Sequence, residues 1–303
     1  MSLHQDISKT HQVAEILFKN FSTSGIHGRR DMPEDLLPQG MVRGSLEHVL
    51  FLTLTVVIDY QRDAPSLWAS ARTTYDDPET KYLFHPKSVS EVSKNNIILD
   101  MGKYSLSKKP RKDAFIWQTV AVTFWKKWGG DPREFLNDCH WDGPTILSRL
   151  KTDTHPVKGT YQWDYPFLRG DKIGPLWLRM LRDNANIPNF MNLDKIPIPV
   201  DIHVARASAC LGVIRGDYAG GLNDIFPEIR SAWFEGVKGI QIQNREMIAL
   251  DVDEPLWHLS KYGCTYRNDI TGSCPKQHTC EMKSYCIEGK IAITRNNIEI
   301  DTR

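Results

Sequence analysis

Four cysteines crowd one stretch near the end of the chain: Cys264, Cys274, Cys280 and Cys286 fall within 23 consecutive residues, spaced C-x9-C-x5-C-x5-C. Thiolates concentrated in this way bind metal, and in a chain with no export signal they argue against disulfides. Structural zinc sites usually offer a short C-x2-4-C knuckle, which is missing here; with His278 as a ligand, one thiolate would be left over. Four thiolates from one loop can hold a [4Fe-4S] cluster. The spacing therefore favours iron and sulfur, with zinc as the alternative.

The second group of reactive residues lies upstream. In "KIPIPVDIHVARASACLGV", two prolines stiffen the approach and deny it a helix, so the helix must begin beyond them with Asp201 at its N-terminus. Val204, Ala207, Ser208 and Leu211 are its inward positions, and Gly212 ends it. A carboxylate in that place caps the helix and is held ionised by the dipole and the backbone amides. An ionised carboxylate facing a cleft can stabilise a sugar cation or deprotonate an attacking group. Further upstream, "FLRGDKIGPLWLRML" sets Gly170 and Gly174 in a tight connection, with Pro175 at the first position of a following helix. This is a helix-hairpin-helix signal, and amides at such a helix start can hold a phosphate.

The elements that carry these residues are mainly helical. A short helix is expected over 13–21, and Ser45 can cap another whose apolar positions are Leu46, Leu50, Leu54, Val57 and Ile58. In "DAFIWQTVAVTFWKKW", Trp117, Val120, Ala121, Phe124, Trp125 and Trp128 recur at helical spacing, and Gly129 and Gly130 stop the run. That stripe reads as core rather than as a base-stacking platform. Only "KIAITRNNIEID" alternates like paired strands, turning at Asn296 and Asn297. Cys139 and Cys210 stand alone and read as small buried apolar residues.

With 38 Lys and Arg against 37 Asp and Glu, the net charge is +1, so binding to nucleic acid must come from local clusters such as Lys108, Lys109, Arg111 and Lys112. Apolar residues at 41% and charged residues at 25% exclude extensive disorder. No signal-peptide core and no membrane-length apolar run occurs, so a soluble intracellular protein is expected, in the cytoplasm or nucleoid, or in a nucleus.

On these residues the sequence resembles the helix-hairpin-helix (HhH-GPD) DNA glycosylases, typified by endonuclease III, adenine glycosylase and the archaeal 8-oxoguanine glycosylases. "PVDIHVAR" is similar to the family's "VDTHV" type motif, and "IPIPVD" to the archaeal 8-oxoguanine enzymes. The resemblance puts Asp201 on the catalytic aspartate, His203 on its neighbouring histidine, and Lys172 on the Schiff-base lysine of bifunctional members. "VVIDYQRDAPSLWASA" is similar to the family's "LSAQATD" segment and puts Gln61 on the residue that fills the gap left by a flipped nucleotide. Gly170 and Gly174 would form the DNA-gripping hairpin, although "LRGDKIG" lacks the proline of the family's "LPGVG" and spaces its glycines differently. Endonuclease III and adenine glycosylase also close their second lobe with a four-cysteine [4Fe-4S] loop. Its last interval matches "CEMKSYC", while the first two intervals here are longer.

The resemblance implies a mainly α, two-lobed glycosylase fold with a small C-terminal β-hairpin. Its helical barrel domain would span 45–190 and end in the helix-hairpin-helix at about 162–182. The second lobe would comprise 1–44 and 191–303, with Asp201 and the iron-sulfur loop 264–286. The implied activity is base excision repair: flipping of a damaged or mismatched base from double-stranded DNA and cleavage of its N-glycosidic bond, with lyase chemistry at Lys172. The monomer would act alone, and oxidised guanine is the favoured substrate. The alternatives are a monofunctional glycosylase using water, a non-catalytic DNA-binding protein of the same fold, and a zinc-stabilised helical protein unrelated to repair.

Overall fold

The structure, a computed structural model, describes residues 2–242 and 244–302. The chain organises into two compact units, Met1–Asp31 with Ile196–Arg303 and Met32–Lys195. The divisions fall after Asp31 and Lys195, against 44 and 190 in the sequence reading. The fold is mainly helical: twelve α-helices occur among the described residues.

The first unit begins with β1 (Ser2–Gln5) and α1 (Ile7–Ser24). α1 runs longer than periodicity suggests because Asp6 caps it, accepting from the Lys9 amide at 2.9 Å, and Gly25 at φ +78° ends it. Val13, Ala14 and Leu17 are its buried face.

The chain then builds the second unit around α2 (Leu46–Val56), which Ser45 caps by accepting from His48 N at 3.2 Å. Every residue from His48 to Val56 is buried, as befits a helix apolar on all sides at the centre of a core. α3 (Ala64–Asp76), α4 (Pro86–Glu91), α5 (Lys94–Lys103), α6 (Pro110–Trp128), α7 (Pro132–Asp138) and α8 (Gly143–Thr152) follow. Four residues of the α6 stripe, Trp117, Val120, Ala121 and Phe124, are buried core, while Trp125 and Trp128 are only half-buried. Trp117 Nε1 donates to Leu83 O at 2.7 Å, and its ring meets Phe84 edge-on at 5.2 Å. Gly129, left-handed at φ +61°, closes the helix.

Between α8 and α9 (Ile173–Asp183) the chain forms a β-hairpin, β2 (Thr154–Val157) with β3 (Thr160–Trp163). Lys158 (φ +46°) and Gly159 (φ +83°) make its two-residue turn, the conformation that matches strand twist. This corrects two expectations. The segment 162–182 contains one helix, not two, because the helix before α9 is α8 and 153–172 connects them. α9 also begins at Ile173, so Pro175 is its third residue rather than its first. Backbone N–H groups in the first turn have no intrahelical partner, so a proline costs nothing there.

The chain returns to the first unit through α10 (Ile202–Cys210), β4 (Ile214–Gly221), α11 (Phe226–Gly236), the two-residue strands β5 (Gln241–Ile242) and β6 (Arg245–Glu246), and α12 (Asp253–Tyr262). It ends in β7 (Lys290–Ile293) and β8 (Asn297–Thr302). The C-terminal hairpin turns at 294–296, and the antiparallel sheet is larger than expected, in the order β1-β4-β8-β7. Along β8, Ile298, Ile300 and Thr302 are buried while Asn297, Glu299 and Asp301 are exposed, the alternation of a half-covered sheet. Among the described residues no helix is long and apolar enough to cross a membrane.

Candidate functional site

Asp201 is the N-cap of α10. Its backbone is extended (φ −132°, ψ −169°), and one carboxylate oxygen, Oδ1, accepts from His203 N at 2.8 Å and Val204 N at 3.1 Å. The approach is built as the prolines require. Ile196, Ile198 and Val200 are buried on alternate positions, so Pro197 and Pro199 stiffen a segment that is also anchored. Asp201, Ile202 and His203 are half-buried, whereas Val204, Ala205 and Ala207 to Leu211 are fully inside. His203 Nδ1 pairs with Ser260 Oγ at 3.2 Å and its ring lies 5.7 Å from Trp257, both on α12, which fixes the imidazole against the helix behind it.

The far end of α10 leads to the cysteines. Gly212, at φ +73°, ends the helix where a Cβ would come 2.6 Å from Ile287 Cγ2, and Ile287 N donates to Cys210 O at 3.0 Å. The exit of the cysteine loop is thereby tied to the last turn of the helix that Asp201 begins.

Cys264, Cys274, Cys280 and Cys286 all line one cavity of about 480 Å³. Cys286 is exposed as a residue, yet desolvation of its thiol at the cavity pushes it up to about 12; burial raises Cys280, while a hydrogen bond to Cys210 and then burial raise Cys264. Without metal these three are neutral thiols at pH 7, so metal would displace their protons and its binding would strengthen as pH rises.

The cysteine arrangement tests what the cavity can hold. Four thiolates around one zinc at about 2.3 Å place their sulfurs about 3.8 Å apart. Among the described residues, the one group of three or more His, Cys, Asp and Glu side chains with ligand atoms within 4.8 Å of one another is His27, Cys280 and Glu281. No three thiols converge in that way. Thiols spread around a common space suit a cluster with several metal atoms better than a single ion. A mononuclear ion would instead use His27, Cys280 and Glu281, not His278, which is exposed.

The remaining residues lie in the second unit. Lys172 is the N-cap residue of α9, with helical backbone angles and no side-chain cap bond. Its Nζ is 4.0 Å from Asp59 Oδ2, and the lysine side chain is 30% exposed against 8% for the aspartate, so a surface amine faces a buried carboxylate. Gly170 N donates to Phe167 O at 2.9 Å and Gly174 N to Gly170 O at 2.9 Å, forming the turn that leads into the helix. A Cβ on Gly174 would lie 2.9 Å from Leu147 Cδ2 and 3.0 Å from Leu168 O. Close approach to α8 therefore requires a glycine at 174.

Gln61 is exposed at φ +53° in the loop after α2, and its Oε1 accepts from Lys109 Nζ at 2.7 Å. Beside it, the Tyr60 and Phe167 rings stack at 4.3 Å. Lys112 lies 5.1 Å and 4.7 Å from those two rings, and Lys109 lies 4.9 Å from Tyr60. Buried Asp113 organises this face: it accepts from Tyr60 Oη, from Ser107 Oγ at 2.8 Å, and from Lys108 N and Lys109 N at 3.0 and 2.9 Å. Lys108, Lys109, Arg111 and Lys112 remain exposed at the start of α6. There the helix dipole adds to their positive field. The structure thus gathers Gln61, the basic run and an aromatic pair into one surface suited to a polyanion.

Sequence reasoning missed Cys210. It is buried, but its thiol lines the same cavity as the four loop thiols and is hydrogen-bonded to Cys264. It lies 54 positions before Cys264, so no local spacing could reveal the pairing. The Tyr60–Phe167 stack was missed for the same reason. The β2–β3 hairpin did carry a signal, Lys158-Gly159 between β-prone residues.

No family model matches the sequence, and no curated protein matches it. Among solved structures the chain is similar to a trapped endonuclease III–DNA covalent intermediate in an estranged-adenine complex. Identity is 17% over 91% of this chain and 97% of that chain, with a TM-score of 0.49. It is also similar to a non-covalent endonuclease III–DNA complex, at 17% identity over 93% of this chain and 98% of that chain, with a TM-score of 0.48.

Proposed function

We propose that the protein is a DNA N-glycosylase that extrudes a damaged or mismatched base from duplex DNA and cleaves its N-glycosidic bond, with associated lyase activity. The observation that carries this reading is the state of Asp201: a half-buried carboxylate tied by two amides at a helix N-terminus, behind a rigid and anchored approach. Amides and dipole keep such a carboxylate ionised. It then stabilises positive charge developing on the deoxyribose as the bond to the base breaks.

Extrusion costs a few kcal/mol, less at a damaged pair. Lys108, Lys109, Arg111 and Lys112 would grip the backbone, with Gln61 filling the vacated stack and the turn at Gly170 and Gly174 meeting phosphate. Lys172 would add to C1′ of the sugar, forming the C–N bond as the base departs with the electrons of the glycosidic bond; breaking of C1′–O4′ then gives the Schiff base, and loss of a C2′ proton expels the 3′ phosphate. The amine must be neutral to attack, and Asp59, 4.0 Å away, is the nearby carboxylate placed to take its proton. Cys264, Cys274, Cys280 and Cys286 would hold a [4Fe-4S] cluster, whose contribution is to cross-link the loop that is tied to α10. Oxidised guanine is the proposed substrate, on the likeness of "IPIPVD" to the archaeal 8-oxoguanine enzymes.

The ion pair with Asp59 gives a second reading its footing. A lysine held as an ammonium by that carboxylate binds phosphate, and water attacks the sugar instead. Borohydride trapping on lesion duplexes decides between them. A covalent adduct that disappears in Lys172→Gln, with base release slowed as well, supports the lyase. Base release with no adduct supports water; neither product on any lesion rejects the glycosylase reading.

A further inference from the structure

A [4Fe-4S] cluster takes four thiolates, and the loop supplies four, yet the cavity is lined by five. The fifth, Cys210, is the last residue of α10, is 1% exposed, and is hydrogen-bonded through its thiol to Cys264. A second residue is unexplained by protein contacts alone. Arg267 lines the same cavity and is 8% exposed. Its Nη2 donates to Ile287 O at 3.2 Å and Gly289 O at 2.8 Å, which fixes the guanidinium against the loop exit. Its Nη1 is buried with no hydrogen-bond partner among the described residues.

A buried N–H without an acceptor costs roughly 1–3 kcal/mol, more when charged, so an occupant that supplies the acceptor would remove the penalty. The occupant that suits both residues is an anion with sulfur acceptors, and four thiolates around an iron-sulfur core are one. Zinc at His27, Cys280 and Glu281 would leave both Cys210 and Arg267 unexplained.

Resting on the iron-sulfur reading above, we propose that Cys210 and Arg267 are positioning residues of the cluster site. Once Cys264 ligates as a thiolate it can only accept, so Cys210 then donates its S–H to it, and Arg267 donates Nη1–H to a sulfur of the cluster or of a ligating thiolate. Hydrogen bonds to sulfur and a fixed positive charge both favour the more reduced, more negative state. Together they hold the reduction potential above that of a cluster bound by the four loop thiolates alone.

The test uses the full chain purified without oxygen, comparing the parent with Cys210→Ala, Cys210→Ser, Arg267→Gln and Arg267→Lys. Iron and sulfide per chain, the thermal unfolding profile and a mediated redox titration are read for each. Cys210→Ala and Arg267→Gln are expected to keep the parent's iron and sulfide. Each should lower the reduced-to-oxidised ratio at a fixed ambient potential about tenfold, about 59 mV for one electron. The Ser and Lys variants, which keep donors, should recover part of the shift. Unchanged potentials in both loss variants overturn the proposal. So does a folded Cys210→Ala that has lost its iron, because Cys210 is then a ligand. Zinc without iron in the parent rejects the cofactor reading itself, a failure visible before any variant is made.

Discussion

Replacing Asp201 separates the observed cap from the proposed catalyst, because the two respond differently to the same substitutions. Asp201→Asn keeps a side-chain oxygen at the position that accepts from His203 N and Val204 N, at 2.8 and 3.1 Å, and removes only the charge. Loss of the charge–dipole interaction costs about 0.3–1 kcal/mol. Asp201→Ala loses both hydrogen bonds and should cost about 1–2 kcal/mol. In a chain of 303 residues that lowers Tm by about 2–3 °C, against about 0.5–1.5 °C for Asn. Activity should order the two differently. Without an ionised carboxylate the sugar cation loses its main stabilisation, so Asn and Ala should both slow base release by about 100-fold or more. Asp201→Ser, another good cap, should be as stable as Asn and as inactive as Ala. Differential scanning calorimetry and single-turnover base release measure the two axes on the same samples. If Asn releases base at the parent rate, Asp201 is a cap only; if loss of activity merely follows loss of Tm across the three variants, the chemistry assigned to it is wrong.

Lys109→Ala/Lys112→Ala should flatten the slope of log K against log salt for duplex DNA by about two, since each lysine taken from a phosphate contact removes about 0.9; fluorescence anisotropy at several salt concentrations measures it, and an unchanged slope removes the basic face from the interface. Gly174→Ala should cost about 1–3 kcal/mol, because its Cβ would meet Leu147 Cδ2 at 2.9 Å and the Leu168 carbonyl at 3.0 Å; a urea midpoint equal to the parent's would show that the α8–α9 contact yields easily. His48 is buried, and burial followed by the Arg43 charge lowers it to about 4, so it stays neutral in the fold while the unfolded chain binds a proton below about 6.5. Its folded pKa is depressed, so stability falls as pH drops from about 6.5 to 4, by about 3 kcal/mol in total. His48→Asn, which keeps an acceptor for the Gly44 amide, should remove that part of the slope in urea unfolding at pH 7 and 4.5; an unaltered slope would place the titration elsewhere.

What could be read from the sequence was local. The stripe Trp117, Val120, Ala121, Phe124 has the helical period, and those residues are the buried face of α6. Ser45, Asp201 and Gly212 lie where a chain entering or leaving a helix needs a side-chain acceptor or a left-handed residue. β4 was invisible because "IRGDYAGG" is short of apolar residues. It is held by β1 at the start of the chain and β8 at the end, pairings that no short window contains. The connection between α8 and α9 misled in another way. Its glycines suggest a tight hairpin, but Gly174 serves close helix packing inside α9 and the loop before it holds two strands. Cys210 shows the same limit at the cysteine-lined cavity: its burial was readable, its neighbours were not.

The most direct test of the account is a panel of duplexes, each carrying one lesion or mismatch, incubated with the parent protein and scored for release of free base and for strand breaks before and after alkali. Release of free base from at least one substrate, with oxidised guanine opposite a normal base the expected one, is the predicted result. Duplexes that stay intact through alkali across the whole panel, with a folded protein that still binds DNA, would contradict it.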